Sequence, residues 1–545
     1  LDICAKKKGE RFVKEPVYVI NFDIGTTGVK TCVFEIEKTI KLIGSAMEGY
    51  SLYISPDGSA EQIPAEWWAA VCSTTKRVMK EVAITPEQIA GISFCSQMQG
   101  LVLTDKNGEP VRNAMSYMDQ RAREEIKKGI AHGVQIAGAN VFKLLKSLRI
   151  TGAVAASVKD PVWKYKWVET HEPDNFNRTY KWLDVKEFVI CKMTGEFVMT
   201  QDSAFATLLY DIRKGHEGWS GEICKMLGVN IGHLPKIIKS TDKAGELLKE
   251  PADEMGLCEG IPVFGGGGDA SLIGVGAGCV LPGDTHVYQG TSGWVSTVVE
   301  KSMVDTSAMI AAIVGAQQGL YNYFAELETA GKCLEWVKDH LALDEINIFL
   351  KKESVVESTE TKYTNLYQYM TQVIDTIPAG SQGVIFTPWL HGNRCPFEDP
   401  NARGMFFNIS LETGKTELIR AVVEGVCMHM RWFIETQNKK VKTSEILRFV
   451  GGGALSDVTS QILADCTGYV VETVESPQNV GAVGAAVVTA VGLGLIDNLA
   501  QAKPLIPALK TFKPNPANRA VYDKNYEVYK KLYKANRECF KALNG

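Results

Sequence analysis

Two acids and two hydroxyl-bearing glycine turns are the residues of this 545-residue chain best suited to chemistry. Asp23 ends an apolar, β-branched run, is followed by Gly25-Thr26-Thr27-Gly28, and a second β-branched run returns. The pattern recurs as Gln289-Gly290-Thr291-Ser292-Gly293, again between β-branched runs. Each reads as a strand, a tight glycine turn and a returning strand. Glycines let the N–H groups of such a turn converge on an anion, and the hydroxyls add donors. A single turn of this kind is most often a plain hairpin. Two of them, each opening one half of the chain, suggest duplicated domains that grip one polyphosphate from both sides, with a nucleotide as the ligand.

The second acid, Asp269, follows Gly265-Gly266-Gly267-Gly268, where backbone can approach a ligand without side-chain obstruction. A third glycine loop, Gly451-Gly452-Gly453-Ala454-Leu455-Ser456-Asp457, leads into a helix whose N-terminus favours an anion or a polar nucleotide edge. Phosphoryl transfer needs Mg²⁺ and phosphates held, an acceptor hydroxyl oriented and its proton accepted. Two carboxylates at strand ends supply a metal-side group and a base. The plainer readings are a turn cap for Asp23 and a helix N-cap for Asp269.

Other chemistries find no support. Gly25 to Thr31 is superficially like a Walker A loop, but no glycine precedes Lys30, and no G-x-G-x-x-G follows the first strand. The eight histidines show no metal-ligand spacing, and no G-x-S-x-G elbow occurs. The thirteen cysteines contain no C-x-x-C, so they read as reduced, mostly buried thiols.

The elements that must position these residues alternate. Trp67 to Val82 has helical spacing, Gly91 to Ser96 is a buried strand, and Leu101 to Gly108 is a strand ending in a turn. A helix begins at Pro161, with Trp163 and Trp167 on one face as core aromatics. The second half repeats the order: hairpin, helix from Glu326 to His340, long connection, helix from Thr416 to Gln437, strand, glycine loop and helix. Such alternation implies an α/β protein whose sheets are covered by helices. At this length two domains are the natural expectation, here 1–278 and 279–545, meeting at a ligand-binding cleft. The tail from Asn515 to Gly545 reads as an amphipathic helix packed on the body.

A net charge of −4 argues against nucleic acid as a partner. The stretch Val480 to Ile496 is apolar but glycine-rich, and reads as a close-packed buried helix rather than a membrane span. Leu1 to Lys14 has no apolar signal core. A soluble, cytoplasmic protein is expected.

The ordered motifs resemble the FGGY carbohydrate kinases, the xylulokinases among them. They run from Asp23-Ile-Gly-Thr-Thr-Gly-Val-Lys30 through Glu61-Gln-Ile-Pro-Ala-Glu-Trp-Trp68, Gln97-Met-Gln-Gly100, Asp119-Gln-Arg121 and His171-Glu-Pro. Met193-Thr-Gly-Glu-Phe197, Gly265 to Asp269, Gly290 to Gly293, His391-Gly-Asn-Arg394-Cys-Pro, Gly404-Met-Phe-Phe and Gly451 to Ser456 with Gln461 to Asp465 complete them. The resemblance implies two RNase H-like domains of the actin/hexokinase ATPase type, with sugar against the first and ATP mainly against the second. By position, Asp269 is implied as catalytic base and Asp23 as the acid near Mg²⁺, the pair being the metal-side residues. Gly25, Thr26, Thr27 and Lys30 would face the phosphates, with Gly290 and Thr291 opposite. Gly331, Gly453, Ala454 and Asp457 would line ribose and adenine. Gln97, Met98, Gln99, Asp119 and Arg121 would contact a sugar or polyol, together with Asp269. A homodimer is compatible with this resemblance.

Departures fall on the sugar side: Gln99 stands for a customary histidine, Tyr117-Met118 for Trp-Asn, and Ala270 for asparagine. Asn408 replaces a glycine. The changes imply a polyhydroxy substrate other than xylulose. The competing expectations are an idle sugar-binding protein and an actin- or Hsp70-like ATPase. Asp269 speaks against the first, and the Gln97–Arg121 segment against the second.

Overall fold

Val17-Tyr-Val-Ile-Asn-Phe-Asp-Ile, rich in β-branched and aromatic residues, forms strand β1 (Val17–Ile24), which turns back at once into β2 (Gly28–Ile36). The computed structural model describes residues 15–136, 139–341 and 370–545. With β3 (Ile40–Gly49), β4 (Ile89–Ser96), β5 (Lys243–Glu246) and β6 (Pro262–Phe264), the strands lie in the order β5-β6-β4-β1-β2-β3, and Gly267–Gly268 adds a short pairing to β4. Because β1 and β4 are parallel, the chain must cross over between them. Helix α1 (Pro64–Glu81) lies in that crossover and buries Trp67, Ala70, Val71, Thr74, Thr75 and Val78, one face at helical spacing.

A second core within the same half gathers Leu101, Leu103, Trp163, Tyr165, Trp182 and Leu209. Helix α2 (Pro161–His171) contributes the first two aromatic rings, and α3 (Val185–Thr194) packs with the main core. Trp163 is fully buried, as expected for a core aromatic. Trp167 is half-buried and packs against the same core, while its ring also takes the Arg121 guanidinium at 4.4 Å and stacks on His171. Helix α4 (Asp269–Gly276) follows the glycine run directly.

The second sheet holds β7 (Thr285–Gln289), β8 (Gly293–Val299), β9 (Val304–Asp305), β10 (Ile310–Val314), β11 (Tyr321–Leu327), β12 (Ile446–Val450), β13 (Val470–Val474) and β14 (Ala508–Phe512). Their order is β9-β10-β11-β8-β7-β12-β13-β14. The hairpin β7–β8 is antiparallel and β7–β12 parallel, the same relations that β1 has to β2 and β4. The duplication expected from the two glycine turns is therefore a duplication of sheet topology. The helix expected from Glu326 begins only at Gly331 (α5, Gly331–His340), because Tyr321–Leu327 alternates as a strand paired along β8. Helix α6 (Lys415–Gln437) is buried on most of its faces, and α7 (Asp457–Thr467) follows the third glycine loop.

Contacts group the chain into two units. The first runs to Gly276 and takes in Ile313–Leu320 and Gly481–Ile506; the second comprises Ala277–Ala312, Tyr321–Val480 and Pro507–Gly545. The glycine-rich helix α8 (Val480–Gly492) thus packs behind the first sheet. Asn21 Nδ2 donates to Thr489 Oγ1 at 3.0 Å, and a Cβ on Gly484 would stand 2.3 Å from the Leu272 carbonyl oxygen. Helix α9 (Pro516–Asn544) buries Tyr522, Tyr526, Tyr529, Leu532 and Phe540, the amphipathic tail packed as expected. Among the described residues every cysteine is free, and no helix is long and apolar enough to cross a membrane.

The contact beneath α8 sets a test. Gly484→Ala is expected to destabilise the first unit by about 1–3 kcal/mol through backbone displacement. The thermal midpoint should fall; an unchanged midpoint would contradict the packing.

Candidate active site

The turn between β1 and β2 is held from behind by its carbonyls. Gly25 N donates to Gly28 O at 2.9 Å, Tyr50 OH donates to Gly25 O (2.5 Å) and Gly28 O (3.1 Å), and Tyr50 N donates to Thr27 O (3.1 Å). Gln62 Nε2 donates to Thr26 O at 2.7 Å. In a planar trans peptide the N–H points opposite to its C=O. Anchoring the Gly25 and Thr26 carbonyls therefore directs the Thr26 and Thr27 N–H groups the other way, as an anion-facing turn requires. Gln62 belonged to a motif visible in the sequence, though without a role; nothing in the sequence marked Tyr50.

Asp23 stands opposite Lys30 across the hairpin and beside Cys95 on β4. Burial pushes its carboxyl above the usual range, while the Lys30 charge and a hydrogen bond from Cys95 pull it back. The Cys95 thiol is itself driven well up, first by burial and then by the charges of Asp23, Asp269 and Asp202. The charges of three carboxylates thus act on one buried thiol.

The geometry of Asp269 follows from the glycines before it. Gly266 has φ +67°, and a Cβ there would lie 2.2 Å from the Phe94 carbonyl oxygen, so only glycine fits. A Cβ on Gly268 would meet the Met98 side chain. Fully buried Asp202 fixes the run: its Oδ2 accepts from Gly268 N (2.7 Å) and from Ser271 Oγ, and its Oδ1 accepts from Thr200 Oγ1 (2.5 Å). Asp269 Oδ1 accepts from Ala270 N at 2.7 Å, which orients the carboxylate and matches the helix-start reading. Buried Lys186 donates to Glu187, to Thr200 Oγ1 (2.7 Å) and to Ser203 Oγ (3.0 Å), placing a cation beneath Asp202. Asp202 escaped the sequence reading, since no glycine or motif flags it.

The expected sugar-side residues gather on the same unit. Gln97 N donates to Ile24 O (2.8 Å), and Gln97 Nε2 donates to Gln62 Oε1 (3.0 Å), linking this turn to the Gly25–Gly28 turn through buried amides. Gln99 adopts φ +64°, a left-handed backbone that a non-glycine residue holds only under constraint. Asp119 and Arg121 come together as an ion pair (2.8 Å), and Asp119 Oδ2 also accepts from Ala60 N. Arg121 further pairs with Glu61, which pairs with Arg112. The two form one braced wall rather than two independent arms. Asn408 also has positive φ (+68°), which explains why asparagine, tolerant of that region, can stand for glycine there.

On the second unit three loops converge. Gly331 N donates to Gly290 O (2.7 Å), and Ala330 N and Lys332 N donate to Thr291 O (3.1 and 3.2 Å). Cβ atoms on Gly451 and Gly453 would collide with Gln289, and Gly453 leads on to buried Ala454. Gly290, Thr291, Gly331, Gly453 and Ala454 are therefore brought together. Asp457, at the start of α7, is gripped by Lys510 at 2.8 and 2.9 Å on a half-exposed edge. A cavity of about 380 Å³ on this unit is lined by Arg420, Gln461, Asp465 and Lys513 among others, but by none of the expected site residues. Among the described residues no cluster of three or more His, Cys, Asp or Glu is arranged around a metal.

Comparison with known proteins accords with this geometry. The FGGY family of carbohydrate kinases matches in both parts, its N-terminal domain over residues 18–276 and its C-terminal domain over residues 287–493. The xylulose kinase of Bacillus subtilis (strain 168) is 27% identical over 527 residues, 96% of this chain and 98% of that protein. The gluconokinase of the same organism is 26% identical over 503 residues, 92% of each. Among solved structures, the gluconate kinase from Lactobacillus acidophilus gives a TM-score of 0.80 at 25% identity, covering 97% of this chain and 100% of that one. The ligand-bound xylulose kinase from Lactobacillus acidophilus gives 0.81 at 25% identity, covering 96% and 99%.

Asp202 yields the test of this arrangement. Asp202→Asn turns an acceptor oxygen into a donor facing other donors, at a cost of about 1–3 kcal/mol. Amide exchange at Gly268 should accelerate in the folded variant; unchanged exchange would remove Asp202 as the anchor of the loop.

Proposed function

The chain belongs to the FGGY family of carbohydrate kinases, and on that premise we propose that it transfers the terminal phosphoryl group of ATP to a hydroxyl of a small sugar, ketose, polyol or sugar acid. The single observation that carries the reading is Asp269, oriented at the head of α4 by the glycine run and by the Asp202 anchor. In this reading Asp269 accepts the proton of the acceptor hydroxyl as its oxygen bonds to phosphorus and the bond to the ADP oxygen breaks. The first unit is assigned to the acceptor and the second mainly to the nucleotide.

The Thr26 and Thr27 N–H groups and hydroxyls, with Gly25 behind them and Lys30 beside Asp23, meet the charge of the transferring group. Gly290 and Thr291 face the remaining phosphates, and Gly331, Gly453, Ala454 and Asp457 face ribose and adenine. Gln97, Met98, Gln99 and the Asp119–Arg121 wall bound the acceptor.

The residues present fit a magnesium ion. The carboxylates of Asp23 and Asp269 both act on the buried Cys95 thiol, and burial raises Asp23, the environment that a cation relieves. Mg²⁺ is commonly held by one or two carboxylates plus substrate phosphates, so Asp23 and Asp269 suffice on the protein side. When bound, it neutralises charge on the phosphate oxygens.

Relatives that act on xylulose and gluconate, as their names state, bracket the substrate class. The changes at Gln99, Met118 and Ala270 support an acceptor other than xylulose. The test is Mg-ATP consumption against ketoses, polyols, aldoses and sugar acids, with Asp269→Asn alongside. One acceptor should turn over strongly, and kcat should fall by roughly 10²–10⁴ in the variant. Turnover that survives Asp269→Asn would remove it as the base.

A further inference from the structure

Lys164, in the middle of α2, is completely buried, and the partners of its ammonium are backbone carbonyls. Nζ donates to Gln99 O at 2.6 Å and to Ser116 O at 2.9 Å. The two carbonyls belong to different segments: the turn that follows β4, and the loop that leads to the Asp119–Arg121 wall. A lysine carries three donors on a compact charge, and burying it is costly unless the donors are used. Burial pulls its pKa down and the carboxylates of Asp184, Asp119 and Asp160 offset part of that, leaving it at about 8, so it is mostly charged at neutral pH.

The turn is held from its other end as well. Gly100 N donates to Asp184 Oδ1 at 2.9 Å, and the same oxygen caps α3 by accepting from Val185 N. The Gln99–Gly100 segment therefore has its carbonyl on Lys164 and its next N–H on Asp184. Between these anchors Gln99 keeps φ +64°. Met98, one residue earlier, lies against Gly268, immediately before Asp269. Any change in the turn's height would move the Met98 and Gln99 positions relative to that carboxylate.

We propose that Lys164 is a positioning residue for the acceptor: by bridging the Gln99 and Ser116 carbonyls, it sets the spacing of the two backbone segments that carry the acceptor-facing side chains, with Asp184 as the counter-anchor. The inference rests on the assignment of Gln97–Arg121 to the acceptor. Lys164 touches no substrate in this account and acts through the backbone alone. It also explains how a non-glycine residue is kept in a left-handed conformation at a specificity position.

The experiment compares wild type, Lys164→Met and Asp184→Ser for acceptor KM, nucleotide KM and kcat, using the best acceptor from the wild-type panel. Methionine keeps the length and removes the donors; serine keeps a helix cap but does not reach Gly100. The expected result is an acceptor KM raised roughly ten- to a hundredfold in Lys164→Met, with nucleotide KM changed less than twofold. Asp184→Ser should move acceptor KM in the same direction. Should Lys164→Met fail to fold, Asp184→Ser carries the test on the same terms. Acceptor KM within twofold of wild type in a folded variant, or equal changes in both KM values, would overturn the inference and leave the functional reading standing. A wild-type panel without turnover would overturn both.

Discussion

The placement of Asp269, the proposed base, depends on how closely the glycine run 265–268 passes strand β4. At Gly266 the backbone lies so near Phe94 that no Cβ can be accommodated, and Gly267–Gly268 pairs with Cys95 and Ser96. That approach delivers Asp269 to the end of β4, beside the strand position opposite Asp23. The same strand end leads into the turn that carries Gln97, Met98 and Gln99. Strand β4 thus acts as a common ruler for Asp269, Asp23 and the Gln97–Gln99 turn, the proposed base, metal-side acid and acceptor turn. Precision of this kind is what positioning catalysis demands, since small misplacements cost rate heavily.

Electrostatics follow from the same crowding. Asp202 is held by an amide and two hydroxyls, one of which also takes the Lys186 ammonium. Burial pushes the Asp23 carboxyl up against the pull of Lys30 and of the Cys95 thiol, while burial and the Asp23 charge both drive the Cys95 thiol up. In the proposed function, that negative charge lies where a divalent cation and the Lys30 side chain would act on phosphate. On the second unit the converging turns present backbone, packed so tightly around Gln289 and Gly290 that Gly331, Gly451 and Gly453 leave no room for a Cβ.

Much of this was legible in the sequence where local chemistry decides the outcome. Both hairpins were visible because Gly-Thr-[Thr/Ser]-Gly interrupts β-branched runs, and α8 because its glycines deny it a membrane role. The supporting residues were not visible. Asp202 acts on Gly268, Gln62 on Thr26 and Lys164 on Gln99, each across a long stretch of chain, and no periodicity reports such pairings. One boundary shifted for an identifiable reason: Glu326 and Leu327 end a strand whose alternation begins at Tyr321, so the helix expected from Glu326 starts only at Gly331. Trp167 packs against the core as expected, but spacing alone does not reveal the arginine that also stacks on it. The return of Gly481–Ile506 to the first unit is likewise a tertiary fact.

The central claim, that Asp269 is the base facing the acceptor on the first unit, is tested most directly by a crystal structure of the protein with its best acceptor bound. The account predicts one acceptor hydroxyl within hydrogen-bond distance of the Asp269 carboxylate, with the Gln97–Gln99 turn against the same molecule. An acceptor seated away from that turn, or one whose hydroxyls all lie beyond reach of Asp269, would contradict it.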